Sequence, residues 1–195
     1  MILKTKLFGE VYEFKSVKDV MNRASSKRSG DILYGRAARS NQERVAAKAV
    51  LANLLLKDIF ENPAVPYEID EVTRVITDQV NMTIYNKIKH MTVGEFREWM
   101  LNTKTTPEMI QYYSKGMTSE MVAAVAKLMT NMDLVYVCSQ LYTPRRCNTV
   151  IGAPGQLASR LLPNDSRDDL DAIEAMTLEG LAYGVGDAMI AMNPV

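Results

Sequence analysis

"QLASRLLPNDSRDDLDAIEAMTLEGLAYGVGDAMIAMN", residues 156–193, is the stretch that decides the fold class. Its beginning, 156–165, and its end, 187–193, have strand character, and the residues between them have helical character. Several aspartates stand where that helix begins, and the helix dipole favours negative charge there. Strand, helix and strand in one short stretch predict a βαβ unit with parallel strands and a right-handed connection.

Polar side chains follow both predicted strands. Ligands of parallel α/β structures bind at the carboxyl ends of the strands. The first strand contains Arg160, and the second ends at Asn193, so we expect both side chains at the same rim. A guanidinium offers a fixed fork of donors, and an amide offers one acceptor and two donors. This pair suits a small polar or charged substrate, although spacing alone also allows Arg160 to be a surface or salt-bridged residue.

Residues 1–141 follow a different pattern, that of a hairpin and a helical array. Ile2–Leu7 and Val11–Phe14 alternate around a turn, which predicts two antiparallel strands. Helix starts are predicted at Ser16, Ser40 and Thr92, each with an acidic residue three positions on. In the helix that begins at Ser40, the apolar residues with helical spacing are Val45, Ala49 and Ala52.

Two further helices are predicted in this part. The segment 70–91 is predicted as one long helix, because apolar residues recur every four positions at Val72, Ile76, Val80, Ile84 and Ile88. The segment 118–132 is apolar nearly all round, which predicts a buried helix. Residues 133–141 are compatible with either a strand or a continuing helix.

A segment rich in proline, glycine and turn residues, 142–156, separates the two patterns. We therefore predict two domains, 1–141 and 142–195. The fold class is α+β or α/β: an amino-terminal hairpin and helical array, followed by the opening of a parallel β/α structure. Two parallel strands alone leave unpaired edges, so the chain is expected to be part of a larger structure.

Composition excludes several function classes. Lysine and arginine together number 23, as do aspartate and glutamate, so the zero net charge predicts neither a nucleic-acid nor an anionic-membrane partner. With His90 as its one histidine and two cysteines, Cys138 and Cys147, the chain has no conventional zinc site, and we predict no metal site. The absence of a signal peptide or of an apolar run of about 18 residues predicts a soluble, cytoplasmic protein.

Blocks along the whole chain carry a resemblance to a known family. They are LKTKLFGEVYEFKSVKDVM, ERVAAK, DEVTRVI, TSEMVAAVAKLM, CNTVIGAPG, SRLLPNDSRDD and EGLAYGVGDAMIAMNPV. In these blocks the sequence resembles the large subunit of ethanolamine ammonia-lyase. The family's large subunit is longer than this chain, so the resemblance covers its amino-terminal part only.

The resemblance implies a fold and an activity. A helical region would precede a TIM (β/α)8 barrel, of which this chain holds the first two strands and one helix. The implied enzyme is a carbon–nitrogen lyase that converts ethanolamine to acetaldehyde and ammonia by a radical mechanism with adenosylcobalamin. The implied partners are the small subunit and further large subunits, and the implied location is the cytoplasm or a bacterial microcompartment. We expect no turnover and no tight cofactor binding by the 195 residues alone.

The resemblance also assigns roles to individual residues. Arg160 matches the family's catalytic arginine, which binds the substrate hydroxyl. Asn193 matches its substrate-binding asparagine, and Pro194 matches a neighbour that contacts cobalamin. Leu162 occupies a substrate-binding position but departs from the family pattern Arg-Leu-Gln-Pro-Asn, which forfeits a hydrogen bond worth about 1.5–3 kcal/mol where charge is involved. A truncated, non-catalytic paralogue that serves subunit assembly is the alternative interpretation.

Overall fold

The computed structural model describes residues 2–141, 144–146, 150–153, 155–186 and 189–191. The chain divides into two compact units, Met1–Leu141 and Tyr142–Val195. The chain combines helices with short strands, as expected for the α+β class. In the described part of the chain, no helix combines the length and the apolar character needed to cross a bilayer.

The first unit is a hairpin followed by ten helices in its described residues. Polar side chains cap most of these helices by accepting the backbone N–H three residues on, and they are Ser16, Ser40, Asp70, Asn81, Thr92, Thr106, Thr118 and Thr130. The predicted starts at Ser16, Ser40 and Thr92 are therefore confirmed. The elements are β1 (Lys4–Leu7), β2 (Glu10–Glu13), α1 (Val17–Arg23), α2 (Ser29–Leu33), α3 (Asn41–Asn53), α4 (Leu56–Phe60), α5 (Glu71–Asp78), α6 (Met82–Ile88), α7 (Val93–Leu101), α8 (Pro107–Ser114), α9 (Ser119–Leu128) and α10 (Asn131–Gln140).

The predicted hairpin is confirmed, with a tight turn. β1 and β2 pair antiparallel, and Leu7 lies opposite Glu10. The two turn residues both have positive φ, 55° at Phe8 and 81° at Gly9. This is the geometry of a type I′ turn, whose twist matches that of the flanking strands. Phe8 adopts the left-handed region although it is not a glycine, and its side chain is exposed.

The single long helix predicted over 70–91 is wrong, because the chain forms α5 and α6 there. Asn81 separates them: its side chain accepts the N–H of Ile84 at 3.2 Å, and its own N–H donates to the carbonyl of Lys115 at 2.8 Å. The apolar residues predicted to form one continuous stripe over 70–91 therefore differ in burial. Val80, Ile84 and Ile88 are buried, whereas Val72 is 66% exposed.

The helix predicted from Ser40 is present as α3, but the apolar residues noted for their helical spacing are not the ones that it buries. Val45 is 47% exposed, and the buried residues of the helix are Ala46, Ala47, Val50 and Leu51. The buried face thus lies one residue further along, which is about 100° around the helix. Alanine-rich helices carry a weak apolar pattern, so small shifts of the face are not visible in the sequence.

The segment 118–132 contains all of α9 and the start of α10. α9 ends at Leu128, and Thr130 caps α10, so the open question over 133–141 resolves as helix. The buried residues of α9 lie on one face, at Met121, Ala124 and Val125, while Val122 is exposed. The expectation of a helix buried nearly all round is therefore wrong.

The core of the first unit forms where the helices meet. Its largest fully buried side chains are Leu51, Leu54, Leu56, Ile59, Met121, Val20 and Val93. Two backbone hydrogen bonds join the chain at the start of α4 to the chain at the start of α7. Leu56 N–H donates to Met91 O at 2.9 Å, and Val93 N–H donates to Leu54 O at 2.8 Å. These bonds satisfy backbone groups that would otherwise be buried without partners.

The second unit confirms the predicted parallel strand pair. Strands β3 (Arg145–Arg146) and β4 (Val150–Ile151) pair antiparallel within the segment predicted as a boundary loop. Strands β5 (Arg160–Leu161) and β6 (Met189–Ile190) pair parallel, and helix α11 (Leu170–Ala182) connects them. The strand–helix–strand order of 156–193 is thus present in the described residues.

Candidate functional site

The parallel pair β5 and β6 sets the geometry of the candidate site. Arg160 lies opposite Met189, and Leu161 lies opposite Ile190. The backbone N–H of Ala191 donates to the carbonyl of Leu161 at 3.0 Å, so the pairing continues past β6. Both strands therefore present their carboxyl ends at the same edge, which is where parallel α/β structures bind ligands.

The two faces of β5 differ in what they contact. A Cβ placed on Gly180 of α11 would lie 2.6 Å from Leu161 Cδ1, and one placed on Gly186 would lie 2.8 Å from Leu161 Cβ. Leu161 therefore packs against α11 and the loop after it. Because successive side chains of a strand point to opposite faces, Arg160 lies on the face away from α11.

Arg160 has the chemistry expected of a substrate-binding residue. Its side chain is exposed, and it forms no ion pair with any residue that the structure describes. An unpaired guanidinium at a strand edge can donate several hydrogen bonds to an oxygen-bearing ligand. The alternative in which Arg160 is salt-bridged finds no support among the described residues.

Leu162 lies beside Arg160 and is 46% exposed. An alkyl side chain can neither donate nor accept a hydrogen bond, so this position contributes contact area alone. Asn193 and Pro194 lie outside the described residues, and their predicted roles stay predictions. Of the four predicted site residues, the structure describes Arg160 on β5 and Leu162 directly after it.

The loop between β5 and α11 is organised by its aspartates. One Asp165 carboxylate oxygen accepts the N–H of Arg167 at 2.9 Å and the N–H of Asp169 at 3.2 Å. Asp169 caps α11 by accepting the N–H of Asp171 at 3.1 Å. Such bonds identify these carboxylates as helix-start devices. Among the described residues, no three histidine, cysteine, aspartate or glutamate side chains group as a metal site would require.

Sequence reasoning missed one polar contact at the amino end of β5. The Ser159 hydroxyl accepts the backbone N–H of Gly186 at 3.1 Å, and this bond ties the loop after α11 to the start of the strand. Gly186 has φ 83°, a conformation that favours glycine. Gly184 and Gly186 indicated a turn with backbone angles that favour glycine. Nothing in the sequence indicated that Ser159 would be the hydrogen-bond partner of this turn.

The donor set decides what the described edge can bind. It offers one guanidinium and one alkyl side chain, which suits contact with a small polar or charged molecule. The described residues therefore fit the substrate side of the implied site, and the implied contact with cobalamin rests on Pro194.

Comparison with known proteins is consistent with this geometry. The family model "Ethanolamine ammonia lyase large subunit (EutB)" matches residues 12–195. The ethanolamine ammonia-lyase large subunit of Escherichia coli (strain K12) is 52% identical over 195 residues, which are 100% of this chain and 43% of that protein. The large subunit of Salmonella typhimurium (strain LT2) is 51% identical over the same share of each chain. The chain thus spans less than half the length of the curated relatives it matches.

Proposed function

The chain belongs to the ethanolamine ammonia-lyase large-subunit family, and on that premise we propose that it forms part of an enzyme that converts ethanolamine to acetaldehyde and ammonia. The observation that carries the proposal is the position of Arg160. It lies exposed on the face of β5 away from α11, beside an edge where two parallel strands end together. A relative at 52% identity across the whole chain supports the same activity.

The proposed architecture is the opening of a TIM (β/α)8 barrel. In such a barrel the helices cover the outside, and side chains on the opposite face of each strand point inward. The proposal is supported by β5, where Leu161 contacts α11 and Arg160 lies on the other face. Active sites of these barrels lie at the carboxyl ends of the strands, where Leu162 follows β5 and Ala191 follows β6.

Each site residue has a proposed task. Arg160 binds the hydroxyl oxygen of ethanolamine and keeps a fixed positive charge beside it while the amino group shifts. Asn193 positions the substrate, and Pro194 contacts the cofactor. Bound adenosylcobalamin supplies the radical chemistry. The protein's contribution is to hold the substrate in one orientation and to exclude competing reactions.

The proposed assembly includes the small subunit and other large subunits. Because the matched relatives are named as large subunits, a small-subunit partner follows from the proposal. The cytoplasm, or a bacterial microcompartment within it, is the proposed location. The chain covers 43% of its relatives, so we propose that it has no turnover by itself.

A chimaeric enzyme tests the activity. The matching amino-terminal part of the Escherichia coli large subunit is replaced by this chain, expressed with the small subunit, and assayed for ammonia release from ethanolamine with adenosylcobalamin. We expect turnover by the chimaera and none by the isolated 195 residues. Turnover that survives Arg160→Ala in the chimaera at the parent rate would contradict the role given to Arg160. A fold-matched control is Arg145→Ala, on the exposed strand β3.

The same chimaera tests the position of Leu162. Restoring the amide with Leu162→Gln is expected to lower KM for ethanolamine by about tenfold, the equivalent of one hydrogen bond to a charged or polar group. A lower KM with unchanged kcat would indicate uniform binding of substrate and transition state. An unchanged KM would show that position 162 does not contact the substrate.

A second candidate function is subunit assembly by a non-catalytic chain. The observation that favours it is an exposed apolar surface on and before α5, formed by Ile69, Val72 and Val75. The helix first expected to supply such a surface, α9, exposes Val122 but buries Met121, Ala124 and Val125 against the core. Light scattering separates the candidates: a monomer that binds no apolar dye would count against an assembly role.

A further inference from the structure

A groove of about 380 Å³ lies in the first unit between α1, α4 and α9. Ala64, in the segment after α4, forms one wall of the groove and is held by two hydrogen bonds. Lys18 Nζ donates to Ala64 O at 2.8 Å, and Ala64 N–H donates to Glu120 Oε1 at 2.9 Å. Five apolar side chains contribute to the lining, and they are Val17, Met21, Ile59, Ala64 and Ala123. Lys18 and Glu120 are thus engaged in the wall, which leaves Lys127 as the other charged side chain of the lining.

Lys127 is partly buried in the last turn of α9, and its amine has a neutral partner. Nζ donates to the Ser25 hydroxyl at 2.5 Å, and that hydroxyl donates its own proton to Met21 O at 3.0 Å. Lys127 forms no ion pair with any residue that the structure describes. Lys127 is thus a lining residue of the groove whose amine lacks the carboxylate that usually accompanies a buried lysine.

The surroundings of Lys127 lower the pKa of its amine. Burial lowers its pKa first, and the positive charges of Arg28 and of Lys48 on α3 lower it further. Asp31 on α2 acts in the opposite direction, and the pKa is lowered overall. Two further residues line the groove: Lys18 of α1, which is a cation, and Ile59 of α4, which is uncharged. A larger share of free amine makes a lysine a better nucleophile at neutral pH.

We propose that Lys127 is a site where small aldehydes that enter this groove form an imine. The amine lone pair attacks the carbonyl carbon, and the carbonyl electrons move to the oxygen to give a carbinolamine. Both amine hydrogens then leave with that oxygen as water, so the step needs no oxidant or reductant. The site lies in the first unit and is independent of the ammonia-lyase chemistry proposed for the second.

The chain contains matched lysines for comparison. Lys87 is exposed, and its Nζ donates to the Tyr112 hydroxyl at 2.8 Å, a bond that raises the pKa of Lys87. Lys104 is exposed in the loop before α8. Accessibility alone would make both react faster than the partly buried Lys127. The proposal predicts the reverse order.

The test traps the imine. The 195-residue chain is incubated with acetaldehyde and cyanoborohydride near neutral pH, and the rate of ethylation at each lysine is measured by peptide mass spectrometry. We expect Lys127 to react at least about threefold faster than Lys87 and Lys104, because the rate follows the fraction of free amine. Any order in which Lys127 is not first overturns the proposal.

A second variant tests the cause. Lys48→Gln removes one neighbouring positive charge, so ethylation of Lys127 is expected to slow while that of Lys87 stays the same. Circular dichroism establishes that the variant is folded. An unchanged rate at Lys127 would show that the groove does not activate the amine through its charges, and would overturn the proposal.

Discussion

Helices α3 and α11 have the same length, 13 residues, but very different surroundings. α3 buries four residues against the core of the first unit, and they are Ala46, Ala47, Val50 and Leu51. α11 has the more apolar sequence, yet none of its residues is buried, and Leu170 is 78% exposed. Length and composition therefore do not decide whether a helix contributes to a core.

The difference comes from the elements that pack on each helix. α3 contacts the hairpin and the helices α1, α7 and α9. The contact of α11 with the short strands is made at Gly180, where Leu161 reaches the helix. Burial stabilises by about 25 cal/mol per Å² of apolar surface, so the first unit holds most of the stability of the described chain. In the proposed barrel, neighbouring helices of the outer ring would cover part of the surface of α11.

Truncation of a buried leucine tests this contrast most strongly. Leu51→Ala removes a side chain that is fully buried in α3 and is expected to lower the free energy of unfolding by about 3 kcal/mol. Leu178→Ala, on the exposed surface of α11, is expected to change it by less than about 0.5 kcal/mol. Urea unfolding followed by circular dichroism measures both. Equal losses in the two variants would show that the units do not differ as described.

Two glycines provide a second contrast with a smaller effect. A Cβ on Gly116 would lie 2.6 Å from the backbone nitrogen of Tyr85, which cannot move alone, so Gly116→Ala is expected to destabilise by about 2 kcal/mol. A Cβ on Gly180 meets the flexible end of Leu161, and alanine favours the helix by roughly 1 kcal/mol. Gly180→Ala is therefore expected to be close to neutral. Thermal unfolding of the two variants decides, and a destabilised Gly180→Ala would indicate a rigid contact at Leu161.

The local signals in the sequence predicted the fold well where side chains act on their own backbone. The caps at Ser16, Ser40 and Thr92 have the predicted partners, since capping depends on residues three positions apart. Burial depends instead on distant elements. For this reason the helical spacing in α3 did not indicate which residues are buried, and the break at Asn81 was missed because its backbone partner is Lys115.

The candidate site was predictable only in part. Period-two alternation is sufficient to place Arg160 and Leu161 on opposite faces of β5. The Ser159–Gly186 bond and the groove beside Lys127 could not be predicted, because each joins residues far apart in sequence. The resemblance supplied the roles of Asn193 and Pro194, which lie outside the described residues.

The smallest expected effect is the change in stability at low pH when a carboxylate is protonated, and we expect it to differ between the two units. Asp133 of α10 accepts a bond from Arg97 of α7 at 2.5 Å, and thus joins two helices, whereas Asp169 bonds within its own helix start. The backbone N–H of Thr130, followed by the Arg97 side chain, lowers the pKa of Asp133 below 3.8. A lowered pKa contributes stability that is present above pH 3.8, the unfolded value, and is lost as the pH falls through the folded value.

Asp133→Asn should therefore lower the unfolding midpoint at pH 6, and the difference from the parent should shrink toward pH 3, because protonation removes the same charge from the parent. Asparagine retains an oxygen that can cap α10, so the loss reflects charge more than capping. Asp169→Asn is the matched control in the second unit and is expected to change the midpoint less. A difference for Asp133→Asn that stays constant from pH 6 to pH 3 would show that its pairing with Arg97 does not stabilise the first unit.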